Sequence, residues 1–199
     1  MRAARCETFP LTAPSQLFSR PPRWVPAADP RWSVPPAVAA WLFEPGSLTH
    51  RLKALCGAEF RLRLLVQTWA RPFPDEARAL DLSAAHRMLV REVLLQWQDR
   101  PLVAARSIIP TRTLRGPLWG LARLGERPLG ELLFASPRLE RSGFELAEVD
   151  PAAWRSERVG MLELGTRAWG RRSRYVLDQG PLLVAEVFLP SLFHFESRP

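Results

Sequence analysis

Two charged residues stand where a strand core would normally carry apolar side chains. In LVREVLLQW, residues 89–97, strict alternation sets Leu89, Arg91, Val93, Leu95 and Trp97 on one face of a strand. Arg91 therefore points with the hydrophobic set. Burying a guanidinium without an anion costs several kcal/mol, so protein or ligand must provide a partner, and its planar fork suits a carboxylate. Two other readings stay open: Glu92 marks a shifted register, or Arg91 lies at a sheet edge and snorkels to water.

The second residue is Glu186, the only charged side chain in PLLVAEVFLP, residues 181–190, where Leu182, Val184 and Phe188 share its face. Desolvation favours the neutral form of such a carboxyl unless a cation or donor stabilises its charge. In either state it can serve a ligand, as hydrogen-bond donor or as acid/base, and a structural ion pair with one of the many arginines is the competing reading. WGRRSR, residues 169–174, is the densest positive spot in the chain. It fits an anion clamp, or a solvated face with one or two internal partners.

These residues need elements to position them. Residues 1–35 carry prolines at 10, 14, 21, 22, 26, 30 and 35 and read as an extended leader, with Phe9, Phe18, Trp24 and Trp32 available for local packing. PAVAAWLFE, residues 36–44, starts a helix on proline; Ser47 caps a second helix through Leu55, with Gly57 near its end. FRLRLLVQTW, residues 60–69, begins with strict alternation and predicts a strand, and another is expected over 87–98. A turn at Asp99, Arg100 and Pro101 then returns VAARSII as its hairpin partner.

A second helical pair follows: GPLWGLARLG, an amphipathic helix stopped near Gly125, and LGELLF, begun near Pro128 and ended by Ser136 and Pro137. Strands are expected at about 142–149, 158–166, 170–178 and 182–189, the last two joined through Asp178, Gln179 and Gly180. The sum is an α+β architecture, an antiparallel sheet with two inserted helical pairs. Residues 36–199 are taken as a single domain behind the leader.

Composition narrows the chemistry. The net charge of +8 comes almost wholly from arginine, Lys53 being the only lysine, and suits nucleic acid, an anionic membrane surface or an anionic small molecule. The charges are scattered, however, and interleave with no aromatic RNA-binding pattern, so no nucleic-acid partner is expected. Cys6 and Cys56 form no CxxC, and His50, His86 and His194 are far apart, so no metal is expected. The first residues lack a continuous apolar run of the secretory kind, and no stretch approaches the roughly 20 apolar residues of a membrane helix. A cytoplasmic protein without stable membrane insertion is expected.

Three blocks together are more specific than any single motif: REVLLQWQDRPLVAARSIIP, GPLWGLARLGERPLGELLF and WGRRSRYVLDQGPLLVAEVFLP. In order, spacing and local sequence they resemble the chorismate pyruvate-lyase family, over about residues 36–193. The resemblance implies a monomeric, cofactor-free lyase of bacterial ubiquinone biosynthesis, which converts chorismate into 4-hydroxybenzoate and pyruvate. It also implies a six-stranded antiparallel sheet and two helical flaps closing over the ligand, here near residues 36–56 and 116–135.

The family's carboxylate-binding arginine matches Arg91, and its hydroxyl-binding glutamate matches Glu186. Main-chain amides matching Leu48 and Leu129 assist at the carboxylate. The resemblance thus makes Arg91 and Glu186 the catalytic residues, and these two with Leu48 and Leu129 the binding set, with no metal. Leu48 stands where some relatives carry methionine, a change that a backbone contact tolerates. The leader and a longer stretch at about 140–158 depart from the family pattern. A non-catalytic sensor of aromatic carboxylates is the alternative, because a similar fold serves as the effector domain of some transcription regulators.

Overall fold

The computed structural model describes residues 15–155, 167–178 and 180–196. Its centre is one antiparallel sheet whose strands follow the alternating segments. These are β1 (Val25–Pro26), β2 (Phe60–Ala70), β3 (Met88–Trp97), β4 (Arg100–Ile109), β5 (Glu140–Val149), β6 (Ala168–Leu177) and β7 (Gly180–Phe188). They are ordered β1-β5-β6-β7-β4-β3-β2. The described strands number seven rather than six because the proline-rich segment adds the two-residue β1, pairing Val25 with Leu146 at the β5 edge. Proline at a short edge strand leaves no ladder donor unmet. The strand expected over 158–166 lies outside the described residues.

Both hairpins near the site are tight. Trp97 pairs with Arg100 and Leu177 with Gly180, and Gln98 and Asp178 adopt positive φ of 52° and 47°. The first turn therefore falls at Gln98 and Asp99, slightly earlier than composition suggests, because a two-residue loop matches the twist of the strands it joins. A bulge in β2 between Leu64 and Val66 keeps Leu64 opposite Val93 and Gln67 opposite Arg91. Arg91 sits on an interior strand, between β2 and β4, which disposes of the edge reading.

The sheet has two covered faces. On the front, α1 (Pro36–Leu42) and α2 (Leu48–Cys56) place Trp41, Leu42 and Leu52 against Leu95, Val103 and Phe188. A 3-10 segment, Gly116–Arg123, and α4 (Leu129–Phe134) place Leu121, Leu129 and Leu133 against Leu89, Ile109 and Leu182. GPLWGLAR winds as a 3-10 helix rather than the expected α-helix. The closing helix α5 (Pro190–Glu196) seats Leu192 among the α1–α2 cluster. The two helical pairs thus cover opposite ends of the front face, and its middle lies under their junction.

On the back, α3 (Pro74–Ala79), which the sequence reading leaves as connection, combines with residues of the proline-rich segment. Leu17 and Phe18 are buried with Leu94, Ala104 and Val187, and Phe18 lies 5.0 Å from the Trp154 ring. Main-chain bonds from Ser19 to Ala153 and from Arg155 to Leu17 fasten the segment.

Candidate active site

The register of the sheet brings the singled-out residues together. Arg91 on β3 lies opposite Ser107 on β4, while Glu186 on β7 lies opposite Ala105, two residues along the same strand. Two interstrand spacings and two residue rises put their Cα atoms about 12 Å apart, a span that one aromatic ring can bridge once both side chains reach inward. Arg91, Val93, Ala105, Ser107, Val184 and Glu186 form the floor of one cavity. Leu48 and Thr49 close it from α2, and Pro128, Leu129, Gly130 and Leu133 close it from α4. All four residues assigned through the family resemblance therefore meet in one place.

Arg91 is 2% exposed, and no ion pair reaches it among the described residues. Nη2 donates to the carbonyls of Gly125 and Arg127 at 3.0 and 2.9 Å, whereas Nε has no partner. Two neutral carbonyls do not replace a counter-charge. Desolvation accordingly pushes the guanidinium down to about 10. It stays cationic at neutral pH, and this displacement from its ordinary value corresponds to about 3 kcal/mol of unfavourable burial.

Leu48 and Leu129 are the first residues of α2 and α4, where a helix leaves its N–H groups without intrahelical acceptors. Gly130 lets the two helix starts approach: a Cβ there would stand 3.2 Å from both Ser47 Oγ and Thr49 Oγ1. Lys53 of α2 also pairs with Glu131 of α4 at 2.5 Å. The lids thus touch each other as well as the sheet.

Glu186, 13% exposed in its side chain, pairs through Oε2 with Arg171 Nε at 2.6 Å. Arg171 is 1% exposed, and its Nη1 donates to the carbonyls of Trp41, Leu42 and Glu44 at the end of α1. Burial opposes the charge on Arg171, but the Glu186 carboxylate, with smaller contributions from Tyr175 and Glu44, holds the guanidinium above its ordinary value. Glu186 is therefore half of an ion pair, as the competing reading had it, and it is also part of the cavity floor. A carboxylate with one oxygen committed to arginine keeps the other for a hydroxyl donor.

WGRRSR is not a free clamp: its arginines have internal partners, and Arg174, partly exposed, pairs with Asp81 at 2.7 Å. Arg171 faces the front and Arg172 the back, where Arg172 pairs with Asp75 and Glu145 at 2.6 and 2.7 Å. Sequence reasoning missed Arg171 as the partner of Glu186, and also missed Thr49, Ser107 and Tyr175 in the cavity wall. For Arg171 a signal existed: alternation in WGRRSR puts it on one face with Ser173, and the short hairpin to β7 then sets it opposite Glu186.

Comparison with known proteins agrees with the three matching blocks. The family model described as chorismate lyase matches residues 20–197. The "Probable chorismate pyruvate-lyase" of Methylococcus capsulatus is 53% identical over 154 residues, spanning 77% of this chain and 94% of that protein. A protein of the same name from Pseudomonas aeruginosa is 45% identical over 166 residues, covering 83% and 90%. Among solved structures, a GntR-family transcriptional regulator from Bacillus cereus superposes with a TM-score of 0.52 at 13% identity, covering 71% of this chain and 99% of its own. At that identity the likeness speaks for the fold alone.

Proposed function

The chain belongs to the chorismate lyase family, and from that premise we propose that it eliminates pyruvate from chorismate to give 4-hydroxybenzoate, the first committed step towards ubiquinone. The observation that carries this reading is Arg91, a buried cation that no carboxylate reaches among the described residues, set across the cavity from Glu186. The ring carboxylate supplies the counter-charge that the fold omits. The first-turn N–H groups of Leu48 and Leu129 add donors from the two lids, and Glu186 accepts from the ring hydroxyl. We further propose that the protein works as a cytoplasmic monomer without metal or cofactor; no described helix is long and apolar enough to cross a membrane.

The chemistry asks little of the protein beyond placement. The ether bond between ring and side chain breaks with its electrons going to oxygen. The hydrogen on the neighbouring hydroxyl-bearing ring carbon leaves, and its C–H electrons complete the aromatic ring. The proton ends on the methylene carbon of the released enolpyruvate, giving pyruvate. Aromatisation drives the step, so holding one reactive conformer away from water is the main contribution. The lids exclude water, and the para arrangement of carboxylate and hydroxyl fixes the ring between Arg91 and Glu186.

The direct test is incubation of the purified protein with chorismate in the presence of a chelator, followed by quantification of both products. Equal amounts of 4-hydroxybenzoate and pyruvate are expected. Tight 4-hydroxybenzoate binding without turnover would establish the sensor alternative instead, and restoration of activity only by a divalent ion would overturn the metal-free reading.

A further inference from the structure

Chorismate carries two carboxylates, and the cavity floor neutralises only one. Arg91 meets the ring carboxylate, while Arg171 is cancelled by Glu186. Of the other cations near the lids, Lys53 is held by Glu131 and Arg51 by Glu44. Arg141 differs from these. It is partly buried on β5, no ion pair reaches it among the described residues, and its Nη2 donates to the Tyr175 hydroxyl at 2.8 Å.

Tyr175 connects this cation to the cavity. It is opposite Arg141 in the β5–β6 register, 4% exposed, and part of the cavity wall. Its ring is met edge-on by Phe134 of the α4 lid at 6.0 Å, and the Arg141 guanidinium lies 5.3 Å from its centre. A phenol oxygen that accepts from arginine leaves its own proton free to donate. Tyr175 stands on β6, the strand next to that of Glu186, on the same face as Arg171 and four residues along from it, so its ring walls the cavity on the Glu186 side. That side matters, because the enolpyruvyl ether sits on the ring carbon next to the hydroxyl that Glu186 would meet.

We propose that Arg141, together with the Tyr175 hydroxyl, is the subsite for the side-chain carboxylate of the substrate and for the same carboxylate in departing pyruvate. This rests on the reading above and extends it to substrate selection. Arg91 and Arg141, neither reached by an ion pair among the described residues, offer one positive charge for each carboxylate of the substrate dianion. Once the ether breaks, the aromatic product has no group for this subsite. Arg141 and Tyr175 therefore separate substrate from product, which Arg91 cannot do because both carry the ring carboxylate.

The experiment measures chorismate KM and kcat, together with 4-hydroxybenzoate affinity by calorimetry, for wild type, Arg141→Gln, Arg141→Lys and Tyr175→Phe. Loss of a charge-assisted bond predicts a rise in chorismate KM of about tenfold or more in Arg141→Gln, with 4-hydroxybenzoate affinity within about twofold of wild type. Arg141→Lys restores most of the loss, and Tyr175→Phe shows a smaller rise of the same pattern. An unchanged KM, or equal weakening of substrate and product, would overturn the subsite. Should wild type bind chorismate without turning it over, the activity reading fails by itself, and the ratio of chorismate to 4-hydroxybenzoate affinities in the same variants still decides the role of Arg141.

Discussion

The two faces of this one sheet handle buried charge in opposite ways. On the back, Arg106 is forked onto Glu76 at 2.6 and 2.9 Å and reaches Glu92 at 2.7 Å, and Glu92 also accepts from Ser15 Oγ and the Gln16 amide. Burial opposes the Arg106 charge, yet Glu76 and then Glu92 outweigh it and hold the guanidinium above its ordinary value. On the front, Arg91 is the immediate neighbour of Glu92 in sequence and comparably buried, yet among the described residues it meets only two carbonyls. Alternation alone sends the two side chains to opposite faces. The fold itself answers the charges on the back, whereas on the proposed reading the carboxylate of a ligand completes the network at Arg91.

Breaking the paired side has the largest expected effect. Arg106→Ala strands the Glu76 and Glu92 carboxylates in the interior and should lower stability by roughly 3–5 kcal/mol, read as a reduced urea midpoint. The fraction that remains folded should bind 4-hydroxybenzoate with near wild-type affinity, because Arg106 does not face the cavity. Weakened ligand binding with unchanged stability would reverse the assignment of the two faces.

Glu186→Gln sharpens the contrast, because Glu186 is ion-paired and also lines the cavity. The amide still meets a hydroxyl but cannot neutralise Arg171, so some stability is lost together with turnover. If Glu186 only orients the hydroxyl, single-turnover rates should fall about tenfold; a part in proton movement should cost about 100-fold or more. A variant that melts lower but keeps the wild-type single-turnover rate would leave only the structural half of the pair.

Titration gives the smallest and most specific effect. Arg91 is pushed down to about 10 by desolvation, so the folded protein loses this charge at lower pH than the unfolded chain does. For a base with a lowered folded value, the cost to stability is full below pH 10 and is relieved as pH rises towards the ordinary arginine range. Binding of an anion runs the other way. Benzoate, which offers only a carboxylate, should bind with constant affinity between pH 7 and 9 and lose about tenfold per unit once Arg91 deprotonates. A decline already complete by pH 8 would point to a different cation.

Much of this arrangement is legible in the chain. Alternation in LVREVLLQW and PLLVAEVFLP sets Arg91 and Glu186 inward, whereas their meeting on one face depends on the long-range pairing of β4 with β7, which no local pattern announces. What alternation alone cannot supply is the partner of each charge. The Arg171–Glu186 pair needs the β6–β7 hairpin register as well, and Glu76 reaches Arg106 from α3, whose PDEARA gives too short a periodic signal to stand out. β1 is hidden for a related reason, since its two residues pair only because the segment around Leu17 is already anchored on the back face.

The claim that Arg91 is held in reserve for a ligand carboxylate is tested most directly by thermal unfolding of wild type and Arg91→Met, each with and without 4-hydroxybenzoate. Removing a buried, uncompensated cation should leave the variant melting at or above wild type when no ligand is present. The ligand should raise the wild-type melting temperature and leave the variant unmoved at the same concentration, since truncating one side of a buried charge pair costs roughly 2–5 kcal/mol of binding. A variant that melts well below wild type without ligand, yet keeps the full ligand-induced rise, would show that Arg91 serves the fold and that the carboxylate is held elsewhere.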